Sequence, residues 1–490
     1  MRIKNPRSSL IRVMAVFVIA CLVPACETPP PPAQSCAPVK AETLPAAPAG
    51  ISGARIVTDI SGSMKGFAQP DSVRLFTLHD TLERTARNAV LSSEPSPSIQ
   101  RCSVGEVLDC NSQISTRAFD NPSTYSALES RLDLFMRAGG QTGEKKDDNS
   151  RAAATPLDPH RLSILITDGM DASAPEARAG TPCLGGADPD CMAHLLKQHA
   201  DKGYGIWMAL LLMPFNGTHY AERPLDNSLW ERVRQHVAGL GQDSYFKGVT
   251  LNVKRADTSV PFTSYRYEGV KPVLIIALSR DVQAGRKFIQ EFDGAIKRDN
   301  ITQPVNGVYT MEVAPLSVRT RQITKVSLDG ASAVEGVRPV TGKRQTGLYD
   351  YLVDCDRNGG ATFKVAYEDK EGAQVVPNGV EESLNLVPTG DGNLPKNLLT
   401  VKSRSDKAFE VQLSCQQLRE GNYTSCFNLQ SAFNIADQGA AFWSALNADN
   451  VYEAPERLYG LREMVQKVLQ SVTARARVAD RIVFRVERKG

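Results

Sequence analysis

Between residue 54 and about residue 285 the sequence carries four nearly continuous apolar runs: RIVTD (55–59), LSILIT (162–167), GIWMALLLM (205–213) and PVLIIAL (272–278). A sheet with one wet face needs apolar and polar residues in alternation. Unbroken runs of Val, Ile and Leu need cover on both faces, as in a parallel sheet held between helical layers. The stretches between the runs supply that cover. In 71–92, Val73, Leu75, Phe76, Leu82 and Ala86 can share one helical face. STYSALESRLDLFMR (123–137) places Leu128, Leu132 and Phe135 at helical spacing. CMAHLLKQHADKG (191–203) stops at a glycine just before the third run, and GRKFIQEFDGAIKR (285–298) follows the fourth. Strand–helix alternation of this kind predicts an α/β doubly wound domain, here assigned to 51–300.

With 490 residues, further domains are expected. From 305 to 435 the pattern changes to short alternating segments, such as VYTMEVAPL, ATFKVAYED and FEVQLSC, separated by Gly, Pro, Asn and Asp turns. That predicts a smaller antiparallel β domain, with an immunoglobulin-like sandwich as the expected form. In 436–490, Leu458, Leu461, Val465, Val468 and Val472 recur at helical steps and predict one amphipathic helix, followed by the strand-like RIVFRV.

The first 25 residues contain Arg2, Lys4, Arg7 and Arg12 and no acid, then the apolar VMAVFVIACLVPA. This is the layout of an export signal, too short to span a bilayer as a helix. It closes on VPAC and resembles a bacterial lipoprotein signal, which implies that Cys26 receives lipid after cleavage. Cys21 is the alternative lipid site, and a plain secretory signal is the alternative reading. Glu27 follows Cys26 where aspartate would favour the inner membrane, so the outer membrane is expected. Residues 26–50 are rich in Pro and Ala and read as a tether. Without residues 1–25 the chain has 53 basic and 54 acidic residues, a balance that does not suit nucleic acid.

Eight of the ten cysteines remain beyond Cys21 and Cys26, an even number that suits disulfides in an oxidising compartment. Cys102 with Cys110, and Cys183 with Cys191, are near neighbours in polar stretches and are expected to pair. Cys36, Cys355, Cys415 and Cys426 leave three connectivities open. The absence of any CxxC argues against zinc.

The chemistry concentrates where strands end. In a doubly wound sheet, ligands bind outside the carboxyl ends of the strands. Asp59 closes the first run, with Ser61 and Ser63 in the loop after it, and Asp168 closes the second. Thr124, in NPSTYSAL, begins a helix candidate and can join them. Two carboxylates and three hydroxyls make a hard-oxygen set suited to a small divalent cation. A serine-capped helix start is the bland alternative for Asp-Ile-Ser-Gly-Ser, since these are also cap and turn residues. Nucleophile elbows, SxxK and phosphate loops are absent at these positions.

DISGS, Thr124 and TDG together resemble the metal-ion-dependent adhesion site of von Willebrand factor A domains. The resemblance covers about half of the chain. It implies a Rossmann-like fold holding Mg²⁺ or Mn²⁺, with Ser61, Ser63 and Thr124 as direct ligands and Asp59 and Asp168 binding directly or through water. The second loop departs from the family's usual Gly-Gly-Thr, and Ser123 stands as an alternative to Thr124. The implied partner is a protein offering an Asp or Glu carboxylate to the ion, and no enzyme activity is expected. Recruitment of an envelope enzyme, or a cation that only stabilises the fold, are the competing roles.

Two smaller features read as structural. DCDRNGG (354–360) opens like a calcium loop but has Val365 at the twelfth position, so a β-turn is expected. His194 and His199 are expected at the surface.

Overall fold

The computed structural model describes residues 50–68, 74–91, 97–110, 114–137, 157–170 and 189–314, the last with breaks at 244–245, 257 and 303–306, and then, with breaks between strands, 320–488. The signal segment, most of the tether, Cys26, Cys36 and Cys183 lie outside the described residues, as does the side chain of Cys426.

A mixed sheet organises the α/β part. Strand β1 (Gly53–Asp59) pairs in parallel with β2 (Ser98–Val104) on one side. The short β3 (Leu108–Asp109) turns back on β2, and β4 (Arg161–Thr167) runs parallel to β1 on its other side. Next comes a long antiparallel ribbon. It is built from β5 (Gly205–Leu225) and β7 (Phe262–Ser279), with α4 (Asn227–Leu240) and β6 (Asn252–Arg255) between them in the chain. It is β7 that lies against β4, and antiparallel to it, so that β5 lies one place further out.

The all-parallel expectation is thus corrected on this side: run 272–278 enters antiparallel, between two strands that share a direction. Apolar continuity reports two covered faces and is indifferent to strand direction. The outer edge is β8 (Val308–Ala314). Sequence pattern assigned VYTMEVAPL to the β domain. Its alternation reflects an edge strand of the first sheet, with one side less covered.

Both faces are covered. Ile56 of β1 packs with Leu75, Leu78 and Leu82 of α1 (Arg74–Val90) and Phe288 and Phe292 of α5 (Val282–Asp299). Its neighbour Val57 packs on the opposite face. There it meets Leu132 and Phe135 of α2 (Leu132–Arg137) and Leu195 and Leu196 of α3 (Pro189–Asp201). The helix expected over 123–137 shrinks to α2. Residues 122–124 form a single tight turn capped by Asn121, and Leu128 is 93% exposed.

Trp207 of β5 is fully buried, its ring wedged against two glycines. A Cβ on Gly205 or Gly285 would each stand 2.1 Å from the indole Cη2. Replacing a helical glycine by alanine normally gains up to about 1 kcal/mol. Here overpacking costs roughly 1–3 kcal/mol and should win. Gly285→Ala should therefore lower the urea midpoint, and a raised midpoint would show the indole has room.

The second part is a sandwich. One sheet runs β10 (Val337–Pro339), β11 (Leu348–Asp354), β19 (Arg481–Arg488), β16 (Gly421–Ile435) and β13 (Val380–Thr389). The other runs β14 (Leu399–Ser405), β15 (Ala408–Ser414), β12 (Gly360–Lys370) and β9 (Thr320–Leu328). Val353, Ile482 and Val486 of the first share a core with Phe363, Val365, Val411 and Leu413 of the second. RIVFRV is thus a strand of this sandwich, parallel to β11 and antiparallel to β16, so the pairing is not antiparallel throughout. Cys355 and Cys415, at the ends of β11 and β15, are disulfide-bonded and tie the two sheets together. Asp356 donates its N–H to Asp354 Oδ1, a local turn that ends β11.

Cys102 and Cys110 are bonded as expected, and Cys191 is in a disulfide. The tail helix is α6 (Leu461–Ala474). Leu461, Met464, Val465, Val468 and Leu469 bury its apolar face against α3 and against Phe433 and Ile435 of β16, which joins the two parts through one continuous core. Leu458 precedes it, in β18 (Leu458–Tyr459), which pairs with β17 (Asn447–Ala448). Among the described residues no helix is long and apolar enough to cross a membrane.

Candidate metal centre

Three neighbouring features meet at the carboxyl edge of β1 and β4. The loop after β1 begins at Ser61, which bridges to Ala127 and so draws the 122–130 segment alongside. Asp59 is fully buried. Its Oδ1 accepts the Ser61 N–H at 2.9 Å. Its Oδ2 accepts the hydroxyls of Ser130 at 3.0 Å and Thr167 at 2.8 Å.

Ser61 starts a tight turn over Gly62–Phe67, yet its side chain makes no capping bond. Instead its Oγ lies 3.1 Å from Ser63 Oγ. The Ser61 hydroxyl is therefore not a helix cap.

Asp168 follows β4 and is also buried. Its Oδ1 accepts the Met170 N–H at 3.3 Å. Gly169 turns there with φ +79°, a conformation that favours glycine, and Leu458 packs over it. Burial pushes the Asp59 carboxyl up to about 6. The nearby charge of Asp168 adds to this, while hydrogen bonds from Ser61 and Thr167 pull the other way. Two buried carboxylates this close need positive charge. Part of it is present: Lys271 Nζ stands 2.5 Å from Asp168 Oδ2, with the side chains 5% and 0% exposed.

The structure sets Asp59 against Ser61, Ser61 against Ser63, and the charge of Asp168 near Asp59. It does not bring in Thr124, whose hydroxyl donates to the Ala118 carbonyl at 2.6 Å. Ser123 is exposed, and its N–H donates to Asn121. The second-loop hydroxyl that reaches Asp59 is Ser130.

Sequence reasoning missed Ser130 because SALESRL was read as helix. It missed Lys271 because a lysine flanking an apolar run reads as the wet end of a strand.

A cleft of about 640 Å³ opens over these groups. Its floor is Ser61, Gly62, Ser63 and Ser130, and one wall is Tyr125, Ser126 and Leu128. The ribbon makes the other wall. Its strands run on past Thr167, the last residue of β4 to pair with β7. Asn216, Gly217, Thr218, Tyr220 and Arg266 of that overhang line the cleft. Lys65 and Arg266 are its exposed cations, with Arg266 bonded to Asn216 Oδ1 at 2.8 Å.

Among the described residues no three of His, Cys, Asp and Glu gather as a metal cluster. Any ion here would depend on two carboxylates and on hydroxyls. That all-oxygen set fits Mg²⁺ or Mn²⁺ in kind and is wrong for a thiolate- or imidazole-loving ion.

These features define an α/β protein with a hydroxyl–carboxylate site under a ribbon-walled cleft. No protein-family description, curated protein or solved structure compared with the chain gives a match.

Proposed function

We propose that the chain is an exported, lipid-anchored protein of the von Willebrand factor A kind that binds a protein ligand through a divalent cation, Mg²⁺ or Mn²⁺. The observation that carries this reading is the Ser61–Ser63 hydroxyl pair. The Ser61 side chain caps nothing, and both serines line a cleft next to the buried Asp59. Ser61 and Ser63 would hold the ion directly, with Asp59 and Asp168 behind them and Ser130 fixing the Asp59 carboxylate. When bound, the ion supplies an electrophilic position for a ligand's Asp or Glu oxygen. The cleft walls orient that ligand, and Lys65 and Arg266 attract its negative charge over the last nanometre of approach. The disulfides agree with an oxidising compartment. Recruitment of an envelope enzyme remains the second use of the same surface.

Ser63→Ala is the clean test, because Ser63 is only half-buried and its loss orphans little. Calorimetric titration with Mn²⁺ should show affinity down about tenfold, ~1.4 kcal/mol, with the melting temperature of the ion-free chain unchanged. Wild type that takes up neither Mg²⁺ nor Mn²⁺ at millimolar concentration would end the reading.

A further inference from the structure

We infer that Lys271 is a built-in cation of this site. It holds Asp168 in the ion's absence and sets a low affinity for the divalent ion by competing for that carboxylate. The inference rests on the metal-site reading above and deepens it.

Topology is the first ground. A sheet with β5 directly beside β4 would put no residue of β7 at this edge. With β7 inserted antiparallel, Leu274 pairs with Thr167, and the strand's preceding residues overhang the loop that carries Asp168. Lys271 is three residues into that overhang, opposite Met213 of β5.

Geometry is the second. The ammonium lies 2.5 Å from Asp168 Oδ2 and 5.2 Å from the centre of the Phe215 ring, in a place that is 5% exposed. An aromatic face and a carboxylate are the two surroundings that hold a buried ammonium. Lys271 is thus built into the site and does not drift over it from the surface.

Charge is the third. Asp59 and Asp168 carry two negative charges when ionised, and Lys271 cancels one. A divalent ion arriving here meets one net negative charge instead of two. It must also share Asp168 with an ammonium already at hydrogen-bond distance. Both effects weaken the ion's hold. Once the ion is bound, the same ammonium leaves the site more positive, which favours an anionic ligand over an empty site. The cleft is then one in which ion and ligand bind best together.

The test is titration of the full chain with Mn²⁺ and with Mg²⁺, each alone, by calorimetry. Wild type is compared with Lys271→Met and Lys271→Arg. Lys271→Met keeps a long apolar stem under Phe215 and should bind Mn²⁺ at least tenfold more tightly than wild type. Lys271→Arg keeps the charge and should stay within about threefold of wild type. If Lys271→Met does not give a folded chain by circular dichroism, Lys271→Gln serves in the same comparison.

Wild type that binds the ion, with a neutral variant that binds it no more tightly, overturns the inference and leaves the metal site standing. Binding by the neutral variant alone upholds the competition at Asp168 and ends the ion-dependent function proposed for the native chain. Absence of binding in every variant overturns both.

Discussion

Asp168→Ala should destabilise the folded chain by roughly 3–5 kcal/mol, the usual cost of leaving one member of a buried ion pair alone. The loss comes from Lys271 more than from the missing carboxylate. Its ammonium is 5% exposed and would keep only the face of Phe215 and its backbone surroundings. Adding Lys271→Met to Asp168→Ala removes the stranded charge and should recover most of that stability. Urea unfolding of the wild type, the two single variants and the double variant closes a double-mutant cycle. Strong non-additivity is expected. Additive costs would mean that the pair is not coupled in the folded chain. This bears on how metal-binding variants are read: an Asp168→Ala protein that fails to bind an ion has to be shown folded first.

Stability should also fall steeply in mild acid. Burial, more than any neighbouring charge, lowers His79 to about 3, His219 to about 3 and His199 to about 4. His79 stacks on Phe119, with centroids 4.2 Å apart. His219 and His199 lie against the carbonyls of Val451 and Met136.

Above about pH 6.5 these imidazoles are neutral in both folded and unfolded chains and contribute nothing to the pH slope. Below it the unfolded chain takes up protons that the folded chain refuses, so stability falls with pH until the folded values are reached. Each group gives about 1.4 kcal/mol per pH unit. Asp59, held at about 6, works in the opposite sense over the same range and offsets roughly one of the three. The net expectation is a loss of about 3 kcal/mol per pH unit between pH 6 and 4. Urea midpoints at pH 7, 6, 5 and 4 measure it, and His79→Gln should flatten the slope. A midpoint that holds steady to pH 4.5 would show these rings accept protons in place.

Much of the α/β part was legible because burial writes itself into composition. RIVTD, LSILIT, GIWMALLLM and PVLIIAL are strands at the centre of the sheet, and α1, α3 and α5 fall where apolar spacing put them. Strand direction was not legible, because Val273, Ile275 and Ala277 are equally buried whichever way the chain runs. Strand β2 was missed because SIQRCSV carries Gln100 and Arg101, which spend their polar ends at the sheet's rim: Arg101 pairs with Glu83. His199 was expected at the surface and is buried. It lies five residues from exposed His194, so the two face different ways round α3.

At the site, Asp59 and Asp168 could be placed because both directly follow apolar runs. Ser130 and Lys271 could not. Their roles depend on a bridge between Ser61 and Ala127 and on an inserted strand, and no local pattern of residues encodes either.

The sandwich sheet that holds β19 cannot close in chain order. β11 and β16 are made first, and each then shows an open ladder of N–H and C=O groups, the condition in which strands pair with wrong neighbours. Arg481 has to find Leu348 on one side and Asn428 on the other. Pairings so distant along the chain make folding slow. Helix α6 shortens the search. It is anchored on α3, where Ser471 bonds Asp201, and lies against β16, the strand that β19 must join. The α/β part thus holds, through one docked helix, the strand beside which the sandwich sheet is completed.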